Sequence, residues 1–177
     1  TRNTRNYGFP LLLLLLAACN LLFHANALEY TSGFARGALL TAIDLEVLIV
    51  FIVGGRIIPM FTRNATAVLT IRSERGLDLA AIGAMSVLAA LDLFIPQHPA
   101  TATLSLVTAA LAVARARHWG VQHTLRTPLL WVLHAGYAFI PLGLLLRGLS
   151  AFAPEIPHSA GTHALTVGAI GTLTLGM

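Results

Sequence analysis

The sequence predicts an all-α fold, a polytopic bundle of about six transmembrane helices. Of the 177 residues 56% are hydrophobic and only 10% are charged, and the mean hydropathy is +0.79. A water-soluble domain of this size carries about a quarter charged residues. The apolar residues also fall in runs that can cross a hydrocarbon layer of about 30 Å at about 1.5 Å per helical residue.

Six apolar runs follow one another along the chain. The first follows two arginines, Arg2 and Arg5, and the third is closed by Pro96 and Pro99, because proline cannot donate a helical hydrogen bond. The fourth is rich in alanine and threonine and is marginal in length unless Pro99 and Ala114 are included. We expect spans at about 10–28, 37–58, 76–95, 100–113, 128–146 and from residue 160 onward.

The basic residues predict the orientation of the bundle. The formal net charge is +4, and all eleven basic side chains are arginine. They are interspersed with apolar runs rather than gathered on a polar face, so nucleic acid is not expected as a partner. A cytoplasmic N-terminus puts nine arginines inside and two outside, which is the bias that the positive-inside rule requires. The inner ones are Arg2, Arg5, Arg56, Arg63, Arg72, Arg75, Arg115, Arg117 and Arg126, and the outer ones Arg36 and Arg147.

The stretch 54–64, GGRIIPMFTRN, combines two glycines and a proline at the inner end of the second span. Glycine loosens a helix and proline removes a backbone donor, so we expect a broken helix here. Arg56 lies inside this stretch. Two interpretations stay open: Arg56 pairs with an anionic or carbonyl group inside the break, or it extends to the lipid headgroups from a helix end.

The last span carries a stripe of small residues at four-residue intervals. Small side chains let helix backbones approach closely, which is the main source of packing energy between helices in lipid. We therefore expect this stripe to form the packing face of the span. Its members are Ala160, Ala164, Gly168, Thr172 and Gly176.

Three stretches resemble the NnrS family: GGRIIPMFTRN at 54–64, LLWVLHAGYA at 129–138 and HALTVGAIGT at 163–172. The resemblance covers nearly the whole chain. It implies a multi-pass protein of the bacterial inner membrane that contains haem and copper and takes part in denitrification and the response to nitric oxide and nitrosative stress. It also implies nitric oxide or its iron adducts as partners, beside the lipid bilayer. The family has more spans than this chain holds, so we expect 1–177 to be one transmembrane domain of a longer protein, packed against that protein's remaining helices.

Three histidines lie within the predicted spans: His24, His134 and His163. Imidazole is a good ligand for haem iron and for copper, so these three are the candidate cofactor ligands. By depth, His24 and His163 share the outer layer and are the candidate metal pair. His134 lies about 10 Å from the inner side and would serve another centre or the opposite face of the same one. The alternative for each is an interhelical hydrogen bond.

Two carboxylates lie within the second span. Asp44 and Glu46 are two residues apart and therefore point to different helix faces. Asp44 shares the depth of His24 and His163. It could orient a ligating imidazole, line a polar pocket, or pair with Arg36. The remaining histidines fall in loops, and of these His158 is a candidate ligand at the entrance.

The leading functional hypothesis is an NnrS-like protein that holds haem and copper, and no catalytic residue or enzymatic activity is assigned. One rival is a transporter with its binding site at the broken helix 54–59. Another is a structural subunit whose polar side chains tie helices together. No CxxCH motif occurs, so covalent c-type haem attachment within this chain is excluded.

Overall fold

A computed structural model describes residues 8–176. Every regular element in this range is helical, which confirms the predicted all-α bundle. Five of the helices are long and apolar enough to cross a membrane. They are α1 (Gly8–Ala27), α2 (Ala35–Thr66), α3 (Arg75–Phe94), α4 (Pro99–Ala116) and α5 (Pro128–Leu149).

The chain continues into a sixth helical segment, 158–176, which begins close to where the last span was predicted. It consists of α6 (His158–His163), a π-helix (Ala164–Gly171) and α7 (Thr172–Gly176). A short 3-10 turn, Val121–His123, lies between α4 and α5.

We call the end of the bundle with the loops 28–34, 95–98 and 150–157 the outer end, and the end with the loops 67–74 and 117–127 the inner end. The names follow the orientation that the arginines predict. At the outer end, Asn26 ties α1 to α2, since its Oδ1 accepts from the backbone amides of Phe34 and Ala35 at 3.0 and 3.1 Å.

Consecutive helices pack side by side, and α2 also contacts α5 and the π-helix, so it lies at the centre of the bundle. Its buried Phe51 stacks on Tyr137 of α5 with ring centroids 5.8 Å apart. Helix α1 lies at the periphery and packs through Cys19 against Leu45 and Ala89. Leu12 and Leu16 also pack inward, and the other leucines of α1 that are exposed face outward, as in a lipid-facing helix.

Interhelical hydrogen bonds supplement the apolar core. The Thr41 hydroxyl donates to the Ala89 carbonyl at 3.0 Å, which joins α2 to α3. The Ser105 hydroxyl donates to the Leu144 carbonyl at 2.8 Å, which joins α4 to α5. Such bonds stabilise helix pairs in a medium where apolar contact alone gives no advantage over lipid.

The predicted break in the second span is absent, because α2 is one continuous α-helix of 32 residues with Pro59 inside it. Proline at this position removes the hydrogen bond to the carbonyl of Gly55, four residues earlier. The Ser73 hydroxyl donates to that carbonyl at 3.1 Å and replaces the lost donor. The helix is therefore about 48 Å long. It extends beyond the predicted end at residue 58, and the inner loop begins at Ala67.

The packing face of the last segment is one residue away from the predicted small-residue stripe. The fully buried positions include Leu165, Ala169 and Leu173, whereas the stripe is half-buried at their side. The small residues that permit close approach lie on both sides of this interface. On the last segment, a Cβ on Gly168 of the predicted stripe would come within 2.5 Å of Phe139 Cγ on α5. A Cβ on Gly143 would come within 2.7 Å of Leu165 Cγ, and one on Gly136 within 2.9 Å of Leu173 Cγ. The leucines fill the space that these glycines leave.

At the inner end, the loop before α3 is bound to the loop after α4. Glu74 accepts from Arg117 Nη2 at 2.8 and 2.9 Å and lies 3.0 Å from His118 Nε2. The hydrogen bond from Arg117 holds the pKa of Glu74 below its ordinary value. The backbone amide of Arg72 also donates to the carbonyl of His118 at 3.2 Å.

Candidate cofactor site at the outer end

A cavity of about 450 Å³ opens at the outer end of the bundle. Its wall is formed by residues of α1 to α6 and of the loops at this end, and we call it the outer cavity. Apolar side chains such as Leu39 and Ile43 form part of the wall. The ionisable side chains in the wall are Arg36, Asp92, Arg147, His158 and His163.

Arg147 lies inside α5 and binds two carboxylates from two other helices, which corrects its predicted place in an outer loop. Its Nη1 is 2.6 Å from Asp44 Oδ1, and its Nη2 donates to Asp92 Oδ2. Only 10% of the Arg147 side chain is exposed, and Asp44 is fully buried. Removing one member of such a buried cluster costs about 3–5 kcal/mol, because it leaves a charge without a partner.

The carboxyl of Asp44 therefore binds Arg147 rather than Arg36. Its second oxygen, Oδ2, has no hydrogen-bond partner within the described part of the chain. Glu46 is exposed while Asp44 is buried, which confirms that the two point to different faces of α2. Arg36 also lines the outer cavity, so the two carboxylates and the two guanidinium groups at this end are balanced in formal charge.

His163 ends α6 and lines the outer cavity. Its Nδ1 lies 2.9 Å from the backbone carbonyl of Ser159. A carbonyl only accepts, so Nδ1 carries the proton and Nε2 keeps a free lone pair. Metal-binding histidines show this arrangement, in which one ring nitrogen donates to a carbonyl and the other faces the metal.

His158 begins α6 and lines the same cavity. Its Nδ1 lies 2.6 Å from the Ser150 hydroxyl, which in turn lies 2.7 Å from the carbonyl of Arg147. If the hydroxyl gives its single proton to that carbonyl, the imidazole must donate from Nδ1, and its Nε2 is then also free. The structure thus brings His158 and His163 to one cavity, where the sequence analysis had His158 as a loop residue and a candidate ligand at the entrance.

The π-helix begins directly after His163. The π-geometry is rare and often accompanies functional sites, since it carries an extra residue per turn at a cost in hydrogen-bond geometry. Here it follows the histidine-bearing α6 directly and contains the buried residues Leu165 and Ala169.

His24 lies on α1, exposed, with its ring edge-on to Phe23 at a centroid distance of 5.7 Å. Phe23 lines the outer cavity, but His24 does not. His24 and His163 are thus both at the outer end, as their depths predicted, without sharing one cavity. Among residues 8–176, no group of three or more His, Cys, Asp or Glu side chains is arranged to hold a metal ion.

His134 lies apart from the outer cavity, buried between α5 and α2. Its Nε2 is 2.9 Å from the Thr62 hydroxyl, and that hydroxyl is 2.8 Å from the carbonyl of Ile58. His134 therefore makes an interhelical hydrogen bond, as the alternative interpretation proposed. When Thr62 donates to Ile58, the ring donates from Nε2 and retains a lone pair only at Nδ1.

The arginine that is buried and paired against α2 is Arg115, whereas Arg56 is exposed. Arg115 Nε binds Asp78 Oδ1 at 2.6 Å, and its Nη1 donates to the carbonyl of Phe51 at 2.9 Å. Its guanidinium carbon lies 4.5 Å from the centre of the Phe51 ring. A Cβ on Gly55 would collide with this guanidinium. The family-like stretch 54–64 thus provides the space that Arg115 occupies.

The comparisons with known proteins agree with the resemblance of the motifs. The family described as NnrS protein matches residues 1–177, the full length of the chain. No curated protein and no solved structure matches the chain. Together with the five membrane-length helices, the family match shows a multi-pass membrane protein. The chain belongs to the NnrS family.

Proposed function

We propose that this chain is the part of a bacterial inner-membrane protein that binds haem and copper and takes part in the response to nitric oxide. Family membership supports the cofactors and the process. The observation that supports particular residues concerns His163. Its Nδ1 donates to a backbone carbonyl, so its Nε2 is free, and the residue lines the outer cavity.

The residues of the outer cavity fit a haem and a metal cation in their donor chemistry. His163 and His158 would offer Nε2 as ligands, and the apolar residues Leu39 and Ile43 would cover a macrocycle. Arg36 would pair with its acidic groups. Haem iron and copper supply redox chemistry and bind nitric oxide when they are present.

His24 and His134 stay in the proposal as ligands outside the outer cavity. His24 is exposed on α1 and can reach a cofactor that extends beyond the cavity or one shared with further helices. His134 can use only Nδ1 while its Nε2 binds Thr62. The bond to Thr62 makes His134 more important for packing than for metal binding, so His163 is the stronger candidate.

The test is the absorbance spectrum of the purified full-length protein in the Soret region, combined with iron and copper analysis per folded molecule. We expect a Soret band and both metals in stoichiometric amounts. A protein that folds and contains neither haem nor copper would contradict the proposal and favour a structural subunit.

A further inference from the structure

A second cavity, of about 800 Å³, lies at the inner end between α2 and α3. We call it the inner cavity. Five arginines line it together with a single carboxylate, Asp78. The arginines are Arg56 and Arg63 of α2, Arg72 of the following loop, Arg75 of α3 and Arg115 of α4.

The charge of these arginines is balanced only in part within the described part of the chain, since Glu74 lies near Arg72 but is bound to Arg117. Asp78 is bound to Arg115 at 2.6 Å, so this pair neutralises itself. The side chains of the other four arginines form no hydrogen bond or ion pair within residues 8–176. Four guanidinium groups around one cavity repel each other unless an anion lies among them. Arginine is also the residue that binds phosphate oxygens with two parallel donors.

The backbone adds to this positive potential. Helix α3 begins beside the inner cavity. The carboxylate of its N-cap residue, Glu74, binds Arg117 and forms no side-chain hydrogen bond to the first amides of the helix. The first amides of a helix carry partial positive charge and attract anions.

The inner cavity lies at the depth of lipid headgroups. Arg56 is 21 residues after Ala35, which starts α2, and this separation corresponds to about 31 Å along the helix. That length matches the hydrocarbon thickness of about 30 Å. The apolar side chains Met60 and Leu79 in the wall are 42% and 61% exposed. They offer a surface for acyl chains beside the charged groups.

We propose that the inner cavity binds the phosphate group of an anionic phospholipid from the adjacent leaflet. The arginines bind the phosphate and favour a lipid with net negative charge. Met60 and Leu79 contact the acyl chains. This site is separate from the outer cavity and does not depend on haem or copper. Basic pockets between helices on the cytoplasmic side are a recurrent form of lipid recognition.

The experiment is native mass spectrometry of the detergent-purified full-length protein with added phosphatidylglycerol or phosphatidylcholine. We expect phosphatidylglycerol to bind more tightly. Arg56→Gln and Arg63→Gln should each weaken it about fivefold, and the double variant about 25-fold. Arg56→Lys should weaken it less than Arg56→Gln, because lysine keeps the positive charge but loses the two parallel donors. Arg126→Gln is the matched control, because Arg126 lies in the inner loop outside the cavity.

Equal affinity for the two lipids, or an equal loss in the Arg126→Gln control, would overturn the proposal. Glycerol phosphate that binds as tightly as phosphatidylglycerol would show that the site takes a soluble phosphate, and would overturn the lipid assignment too. Soret absorbance should be the same in all these variants, so this result is independent of the proposed cofactors.

Discussion

Arg115 joins three parts of the inner end through one guanidinium. It binds the carboxylate of Asp78 on α3 and the carbonyl of Phe51 on α2, and it lies 5.6 Å from the ring of Trp119 in the next loop. Only a planar group with several donors in fixed directions can make these contacts together. Arg56, in contrast, is exposed and has no side-chain partner among the described residues.

Arg115→Lys should therefore destabilise the protein, and Arg56→Lys should be tolerated. A lysine at 115 retains the charge but loses one of two charged hydrogen bonds, at a cost of about 1.5–3 kcal/mol. Thermal unfolding of the full-length protein in detergent measures the difference. A stable Arg115→Lys variant beside an unstable Arg56→Lys variant would reverse the assignment.

Gly55 is small because Arg115 occupies the space where a side chain would lie. Gly55→Ala should cost about 1–3 kcal/mol, since the guanidinium is fixed by its partners and cannot move aside freely. Gly83→Ala in α3 is the matched control, because nothing lies within 4 Å of a Cβ there. The control should gain up to about 1 kcal/mol from better helix propensity. Equal effects at both sites would contradict this account of Gly55.

The ionisable and metal-binding side chains within the spans could be found from the sequence, but the groups that they bind could not. His24, His134 and His163 stood out because imidazole is uncommon in apolar runs. Arg147 was placed in a loop, although Asp44 and Asp92 at the same depth both required a cation. That charge balance was the available signal. It was missed because Arg147 follows three leucines near a predicted span end, where a solvated arginine is also common.

At the scale of one element, α2 shows how a proline can remain in a continuous helix. Because Pro59 has no backbone N–H, the carbonyl of Gly55 has no helical donor. The Ser73 hydroxyl donates to it instead. Ser73 is 18 residues away in the sequence, and the pairing requires the loop 67–74 to fold back on α2. No local pattern reveals it, so the sequence predicted a break where the structure has a helix.

Ser73→Ala should destabilise the protein by about 1–3 kcal/mol, because the Gly55 carbonyl then has no donor. In a Pro59→Ala background the same change should have little effect, since the alanine restores the backbone amide that proline lacks. A double-mutant cycle of unfolding free energies measures this coupling. Additive effects of Ser73→Ala and Pro59→Ala would show that the hydroxyl does not replace the proline's missing bond.

At the scale of the whole molecule, the arginine distribution supports the predicted orientation more strongly once the structure is considered. Arg115 and Arg147 are buried in ion pairs and belong to neither aqueous side. Without them, nine inner arginines become eight and two outer arginines become one. The bias required by the positive-inside rule is therefore retained.

Cysteine labelling in intact cells tests this orientation. Glu155→Cys at the exposed outer loop should react with an impermeant reagent once the outer membrane is permeable. Leu69→Cys in the inner loop should react only after lysis, since Leu69 is 89% exposed but faces the cytoplasm in this orientation. The native Cys19 is buried and provides the background control. Labelling of position 69 alone in intact cells would show that the protein has the opposite topology.

The helix count, order and approximate ends followed from hydropathy, because membrane thickness fixes the length of a span. The outer cavity could not be predicted in the same way. It arises where the loop 150–157 returns α6 toward α2 and α4, and its wall includes both His158 and His163. The position of His24 along its predicted span placed it in the outer layer. That position does not specify on which face of α1 the side chain lies.

The most direct test of the central claim is the Soret absorbance of full-length His163→Ala, normalised to folded protein. We predict loss or a clear shift of a haem band, because the hydrogen bond from Nδ1 of His163 leaves its Nε2 lone pair free to bind a metal. His158→Ala should weaken or shift it, whereas His123→Ala, an exposed inner-loop control, should leave it unchanged. An unaltered spectrum in both the His163→Ala and His158→Ala proteins would contradict a haem site in the outer cavity.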